Sequence, residues 1–251
     1  PPSFQNIGIA PLIELTSPSP DTTTGGGVQT GESNGQFWVP PSGVTKIRVC
    51  LQAGGGAGSS KNNAAGSGGG GGEYTESEFT VASNQVYQIV VGEGAAGPPT
   101  SAVWYSGSAG EASSFSLVSG YGSSDGELTT TLKASAVGGG ASNSYSVAGT
   151  GGTGGTKNLK TIAGSAGGVV GVPYPGATAQ SGGDLGGHGG ASYKGTPGFG
   201  AIVSYSDEGK QCDGIGYGWG GAGGYGDSSS SSTKTNARGG GHGWAAIYDI
   251  T

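Results

Sequence analysis

The chain has 251 residues, 60 of them glycine, and a formal charge of −6. Average glycine usage is roughly 7%, yet there is no strict Gly-X-Y period, which excludes a collagen triple helix, and 10% charged residues is too few for the highly charged disordered class. Ten scattered Lys and Arg argue against a nucleic-acid partner, which needs clustered cations, and against an anionic membrane surface; no apolar run reaches the roughly 18 residues of a spanning helix, so no membrane insertion is expected.

Residues 1–31 read as an extended lead-in or linker from an upstream shaft. Pro1, Pro2, Pro11, Pro18 and Pro20 prevent a continuous helix. The run 17–27 has the Ser, Pro, Thr and Gly composition of a linker. Ile7, Ile9, Leu12, Ile13 and Leu15 are expected to dock on a neighbour or on the shaft. The chain contains no Met, so it is expected to be a processed product or the C-terminal piece of something longer. Residues 32–251 are expected to form one glycine-rich β domain.

A short strand at 36–39 ends at Pro40-Pro41-Ser42-Gly43, a turn sequence. The segment 45–53 alternates: Ile47, Val49 and Leu51 share one face, and Lys46, Arg48 and Cys50 the other. A third strand at 74–81 sets Glu76 and Glu78 opposite Phe79 and Val81. A fourth at 86–92 turns Tyr87, Ile89 and Val91 inward, and the short link 83–85 suggests a hairpin between these two. Weaker strands are expected at 113–118, 128–137 and 200–205, and a last one at 244–250 with Trp244, Ala246, Tyr248 and Ile250 on one face. The apolar spacing is two throughout and no amphipathic helix is evident. The fold class is therefore all-β, an antiparallel β-sandwich or prism-like domain.

Glycine tracts at 54–72, 138–155, 164–200 and 214–243 separate the strands. Each glycine costs about 0.5–1 kcal/mol more than Ala to order in a regular element. Sixty of them require dense main-chain packing, a trimer or another partner surface. Two readings of these long glycine-rich loops stand, disorder or ordered rods of the polyproline-II type, and we favour the rods. Such rods have no internal hydrogen bonds and would pack main chain against main chain, which a Cβ would block. Single side chains, such as His188 and Trp219, would be displayed from that frame.

Phe37-Trp38-Val39-Pro40-Pro41-Ser42-Gly43-Val44-Thr45-Lys46-Ile47-Arg48-Val49 runs into Gly54-Gly55-Gly56. A second glycine run leads to Tyr74, then Tyr87-Gln88-Ile89-Val90-Val91-Gly92, then Gly110-Glu111-Ala112-Ser113-Ser114-Phe115. The chain closes on Gly239-Gly240-Gly241-His242-Gly243-Trp244-Ala245-Ala246-Ile247-Tyr248-Asp249. This ordered series resembles the glycine-rich C-terminal receptor-binding tip domains of bacteriophage tail fibres, over roughly residues 36–251. The resemblance implies a homotrimeric fibre tip on the virion that contacts a bacterial surface polysaccharide or outer-membrane protein. An insert-like region at 199–236 departs from the family pattern.

Catalytic and cofactor readings fare poorly. Gly122-Ser123-Ser124-Asp125-Gly126 fits a nucleophile elbow in letters, but that device needs a strand-turn-helix unit. His188, His242 and Cys212 lack metal-ligand spacing. Asp125 with Glu127, Asp207 with Glu208, and Asp213 sit beside Ser and Gly and read as solvated acids rather than a glycosidase pair. Cys50 reads as a thiol in a strand. No enzyme activity and no cofactor are expected. The aromatics between strands are the candidate receptor-binding residues: Trp104, Tyr105, Tyr205, Tyr217, Trp219 and Tyr225, with Asp213 among them. Rings of this kind stack on sugar faces and dominate protein-binding hot spots; the plainer alternative is that they plug gaps between glycine rods. A structural glycine-rich surface or coat protein, a fibre-like cellular adhesin and a polysaccharide depolymerase are the rival functions.

Overall fold

The structure, a computed structural model, describes residues 10–16, 35–60, 64–97, 106–120, 128–143, 147–169, 186–196, 214–223, 225–226 and 237–251. Its strands are β1 (Ile13–Thr16), β2 (Gly35–Trp38), β3 (Lys46–Gln52), β4 (Ala64–Ala65), β5 (Tyr74–Thr80), β6 (Val86–Val90), β7 (Ser113–Ser119), β8 (Thr129–Ala136), β9 (Lys160–Ile162), β10 (Gly195–Thr196), β11 (Ile215–Gly216), β12 (Tyr225–Gly226) and β13 (Trp244–Asp249). None of the described residues is helical, and every strand pairing is antiparallel. The protein is all-β. A five-stranded sheet has the order β1-β13-β3-β5-β9 and a four-stranded sheet the order β2-β6-β7-β8. The expected strand at 200–205 lies outside the described residues.

The two-residue alternation decides which face meets the opposite sheet. Ile47, Val49 and Leu51 of β3 and Ala245 and Ile247 of β13 meet Tyr87 and Ile89 of β6, Phe115 of β7, and Ala134 and Ala136 of β8 in one buried cluster. The two sheets therefore pack face to face as a sandwich. Phe115 is fully buried. It stacks on Tyr87 at 4.7 Å between ring centroids and on Phe79 at 5.7 Å. Burying such a ring stabilises the fold by about 1.5–3 kcal/mol.

Two expectations are corrected. The 82–85 turn is present, with Gln85 N–H donating to the Ala82 carbonyl at 3.0 Å. It does not close a hairpin: β5 pairs with β3 and β9, whereas β6 pairs with β2 and β7. Both edges of β5 are occupied, and Tyr87 and Ile89 are buried by facing the apolar row of the opposite sheet. The chain crosses between sheets at that turn. The second correction concerns the lead-in: Ile13–Thr16 is a strand paired with Trp244–Ile247 of β13. Its Ile13 and Leu15 pack on the domain's own core.

In the described glycine segments the hydrogen bonds repeat every third residue. In 66–73, the N–H groups of Gly68 and Gly71 donate to Gly168 and Ser165, those of Gly69 and Gly72 to Gly221 and Gly218, and those of Gly70 and Glu73 to Gly140 and Val137. The carbonyls of Gly68 and Gly71 accept from Gly149 and Gly152, those of Gly66 and Gly69 from Gly187 and Gly190, and those of Ser67, Gly70 and Glu73 from Ser59, Gly56 and Ala53. One extended segment is thus held by six neighbours. A repeat of three is the turn of a polyproline-II helix, which makes all its hydrogen bonds outwards. The spacing leaves no room for side chains: a Cβ on Gly69 would run into the Gly56 carbonyl.

The rods grow from one end of the sandwich. Gln52 at the end of β3 is opposite Tyr74 at the start of β5 and Trp244 at the start of β13. Ala136 at the end of β8 is likewise opposite Ser113 at the start of β7. Three buried polar side chains bind sheet to lattice there. Gln52 Nε2 donates to the Gly72 and Glu73 carbonyls at 3.0 and 3.1 Å. Ser113 Oγ donates to the Gln52 carbonyl at 2.8 Å and accepts from Gly92 N–H at 2.9 Å. The fully buried Glu73 carboxylate accepts from Val137 N–H at 3.0 Å, Gly155 N–H at 2.8 Å and Thr161 Oγ1 at 2.7 Å.

Candidate functional site

At the rim of the lattice, where 93–97 and 237–243 run beside 214–219, an open cavity of about 950 Å³ is floored by bare main chain. The side chains around it include Glu93, Glu111, Tyr217, Trp219, Arg238 and His242. Trp219 is half-buried. Its indole lies against Gly214 and Gly241, where an added Cβ would strike the ring in either case. Its carbonyl accepts from Gly241 N–H at 2.7 Å. The ring is therefore positioned by main chain, which lowers the entropy lost when a ligand packs against it. His242 Nδ1 accepts the Gly94 N–H at 3.2 Å, and a Glu111 carboxylate oxygen accepts the Glu93 N–H at 3.3 Å. Carboxylates, a guanidinium and an aromatic face thus border one groove.

Of the sequence-based candidates, the structure brings Tyr217 and Trp219 together at this groove. Tyr217 has a second, packing role: it stacks on Trp244 at 6.4 Å and joins the buried group of Cys50, Tyr74, Trp244, Ala246 and Tyr248 on the outer face of the five-stranded sheet. The backbone of Tyr225 pairs with Ala65. Trp104, Tyr105, Tyr205 and Asp213 lie outside the described residues, as do Cys212, Asp125, Glu127, Asp207, Glu208 and the 122–126 motif. His188 lies over Gly168, with Nδ1 2.9 Å from the Gly189 carbonyl. Among the described residues no three His, Cys, Asp or Glu side chains converge as a metal-binding set. Sequence reasoning passed over Glu93, Glu111 and Arg238 at the groove; their only local signal is a charged residue beside glycine.

The outer face of the five-stranded sheet carries a separate polar cluster. Arg48 binds Glu78 through two nitrogens, and Lys46 reaches the same carboxylate at 3.2 Å. The Arg48 hydrogen bonds hold the Glu78 carboxyl below its ordinary range. Tyr74 donates to Glu76 at 3.0 Å, and Lys160 lies 3.7 Å from Glu76 and 4.9 Å above the Tyr193 ring. Lys194 sits 4.3 Å above Trp244, a cation–π contact, and burial lowers its pKa. Burial also raises the Tyr74 hydroxyl, with Cys50 and Glu76 adding to it. The free Cys50 thiol is buried and pushed up to about 11. A thiol so protected carries less of the reactive thiolate and packs as a small apolar group.

A family model described as a glycine-rich domain matches residues 21–249, and the chain belongs to that family. No curated protein matches the chain.

Proposed function

We propose that this glycine-rich-domain protein is a binding module: the receptor-binding tip of a phage-type tail fibre, which attaches the particle to a bacterial surface polysaccharide or outer-membrane protein. The observation that carries the reading is the open, roughly 950 Å³ groove in which Trp219 is held against two glycines beside acidic, cationic and imidazole groups. Ligand sites are concave and largely preformed, with few polar groups, and a ring fixed by the backbone needs little ordering on binding. Weak contacts at one groove gain effective affinity when several tips engage together, by roughly 10²–10⁴.

The tail-fibre assignment rests on the ordered motifs between 36 and 251. The trimer rests on that resemblance alone, because the N–H groups of the central segment, Gly68 to Glu73, all find acceptors within one chain. The test is a whole-cell binding assay of the soluble chain, with its mass in solution measured alongside. Saturable binding to a bacterial envelope is the expected result. Binding to no envelope fraction would favour the structural-coat alternative, and release of reducing sugar ends would favour a depolymerase.

A further inference from the structure

The segment 237–243 follows the three-residue repeat, but only two of its three rows of N–H groups are used. Arg238 and Gly241 donate to Ala222 and Trp219, and Gly240 and Gly243 donate to Ala95 and Gly92. Among the described residues, the N–H groups of the third row, Gly239 and His242, have no acceptor. Both residues line the groove beside Trp219. Across it, the Gly94 carbonyl receives no donor among the described residues, and the Gly94 N–H is met by an imidazole, His242 Nδ1, where other rods offer a carbonyl. The groove thus has the hydrogen-bonding pattern of a lattice position that holds no rod.

We infer that this groove takes an extended, glycine- and proline-rich protein segment in the polyproline-II conformation, docked as an added rod of the lattice. The inference rests on the binding reading above and names its ligand class. The two open donors are one turn apart, about 9 Å at a rise of about 3.1 Å per residue. Carbonyls at positions i and i+3 of such a segment match that spacing and direction, as the carbonyls of Trp219 and Ala222 do for the neighbouring row. A ligand N–H at the opposite side meets the Gly94 carbonyl. The Trp219 face supplies the aromatic wall against which proline rings pack in grooves that read this conformation. A sugar ring uses the same indole face but has no reason to match a three-residue main-chain repeat.

The test titrates an end-blocked (Gly-Gly-Pro)4 peptide into the full chain and follows Trp fluorescence and heat. A (Thr-Val)6 peptide and a neutral glucan pentasaccharide serve as the other two ligands. Saturable binding of the Gly-Gly-Pro peptide alone is expected. His242→Ala keeps the main-chain donor, and His242→Pro deletes it at a position where no protein acceptor is lost. The proline variant is expected to bind the peptide about tenfold more weakly than the alanine variant, the loss of roughly one hydrogen bond, with equal melting temperatures. Equal peptide affinity of the two variants, preference for the pentasaccharide, or no saturable peptide binding overturns the inference. If cells are still bound while the peptide is not, only the ligand class fails; if neither is bound, the binding reading fails as well.

Discussion

Gly69 donates its N–H to the Gly221 carbonyl at 2.8 Å, and Gly221 passes its own N–H to Gly56, again at 2.8 Å. Three segments, around residues 56, 69 and 221, are joined there by main chain alone. The arrangement inverts the usual relation between core and backbone: in the sandwich, side chains fill the space between layers, whereas in the lattice, hydrogen bonds and close main-chain contact do so. Each N–H bonded inside the lattice avoids the penalty of a buried unpaired donor, about 1–3 kcal/mol. The glycines contribute by what they lack.

Gly69→Ala should be severely destabilising, because its Cβ would meet main-chain atoms of Gly56 and Ala57 that have nowhere to move. A loss of about 3 kcal/mol or more lowers the melting temperature by at least about 6 °C in a chain of this size. Gly154 is the control: it has φ +94, and an added Cβ there would meet nothing within 4 Å. Gly154→Ala should therefore cost only the left-handed strain, about 1–2 kcal/mol. Thermal denaturation of both variants checks the contrast, and equal shifts would count against close packing as the reason for glycine.

Amide exchange should group the glycine segments with the sheets. The N–H groups of Gly68 to Gly72 are bonded to five different carbonyls, so they should exchange with the core amides of Val49 and Leu51. Exchange at free-peptide rates would remove the rigid frame on which the groove depends.

Glu73→Ala strands the N–H groups of Val137 and Gly155 inside the protein and should cost about 3 kcal/mol. Glu73→Gln keeps a carbonyl oxygen able to accept both and leaves its amide facing the Thr161 hydroxyl, so it should cost markedly less. Chemical denaturation of the pair tests whether this side chain ties lattice to sheet.

Cys50 should resist alkylation in the folded protein. With its pKa raised from 9.0 to about 11 by burial, its thiolate fraction at pH 8 falls about a hundredfold before access is considered. The pH dependence follows: the folded thiol holds its proton while the unfolded one releases it, so this group lowers stability as pH rises from 9.0 to about 11. Iodoacetamide labelling of a Cys212→Ser chain, with and without denaturant, measures the protection; equal rates would contradict it.

Tyr217 and Trp219 should separate. Tyr217→Ala removes a ring stacked on the buried Trp244 and should lower the melting temperature. Trp219→Ala should weaken envelope binding at least about tenfold, the scale of an aromatic hot spot. Trp219→Phe keeps a ring between Gly214 and Gly241 and should retain part of that binding. Calorimetry and cell binding, run on all three variants, provide the two readouts.

The inward rows were legible in the sequence because alternation has a direct physical cause: side chains point to opposite faces of a strand, so Ile47, Val49 and Leu51 can be buried only together. The same reasoning revealed the all-β class, and the glycine tracts announced bare main chain. Only the tertiary structure decided which sheet each strand joins, as the crossing between β5 and β6 shows. It alone decided that 66–73 is ringed by six segments, that Glu73 anchors three donors, and that His242 and Trp219 border one groove. The reason is physical: a glycine segment carries no side chain to specify its neighbour, so its partners are selected by the collective closing of long-range main-chain hydrogen bonds.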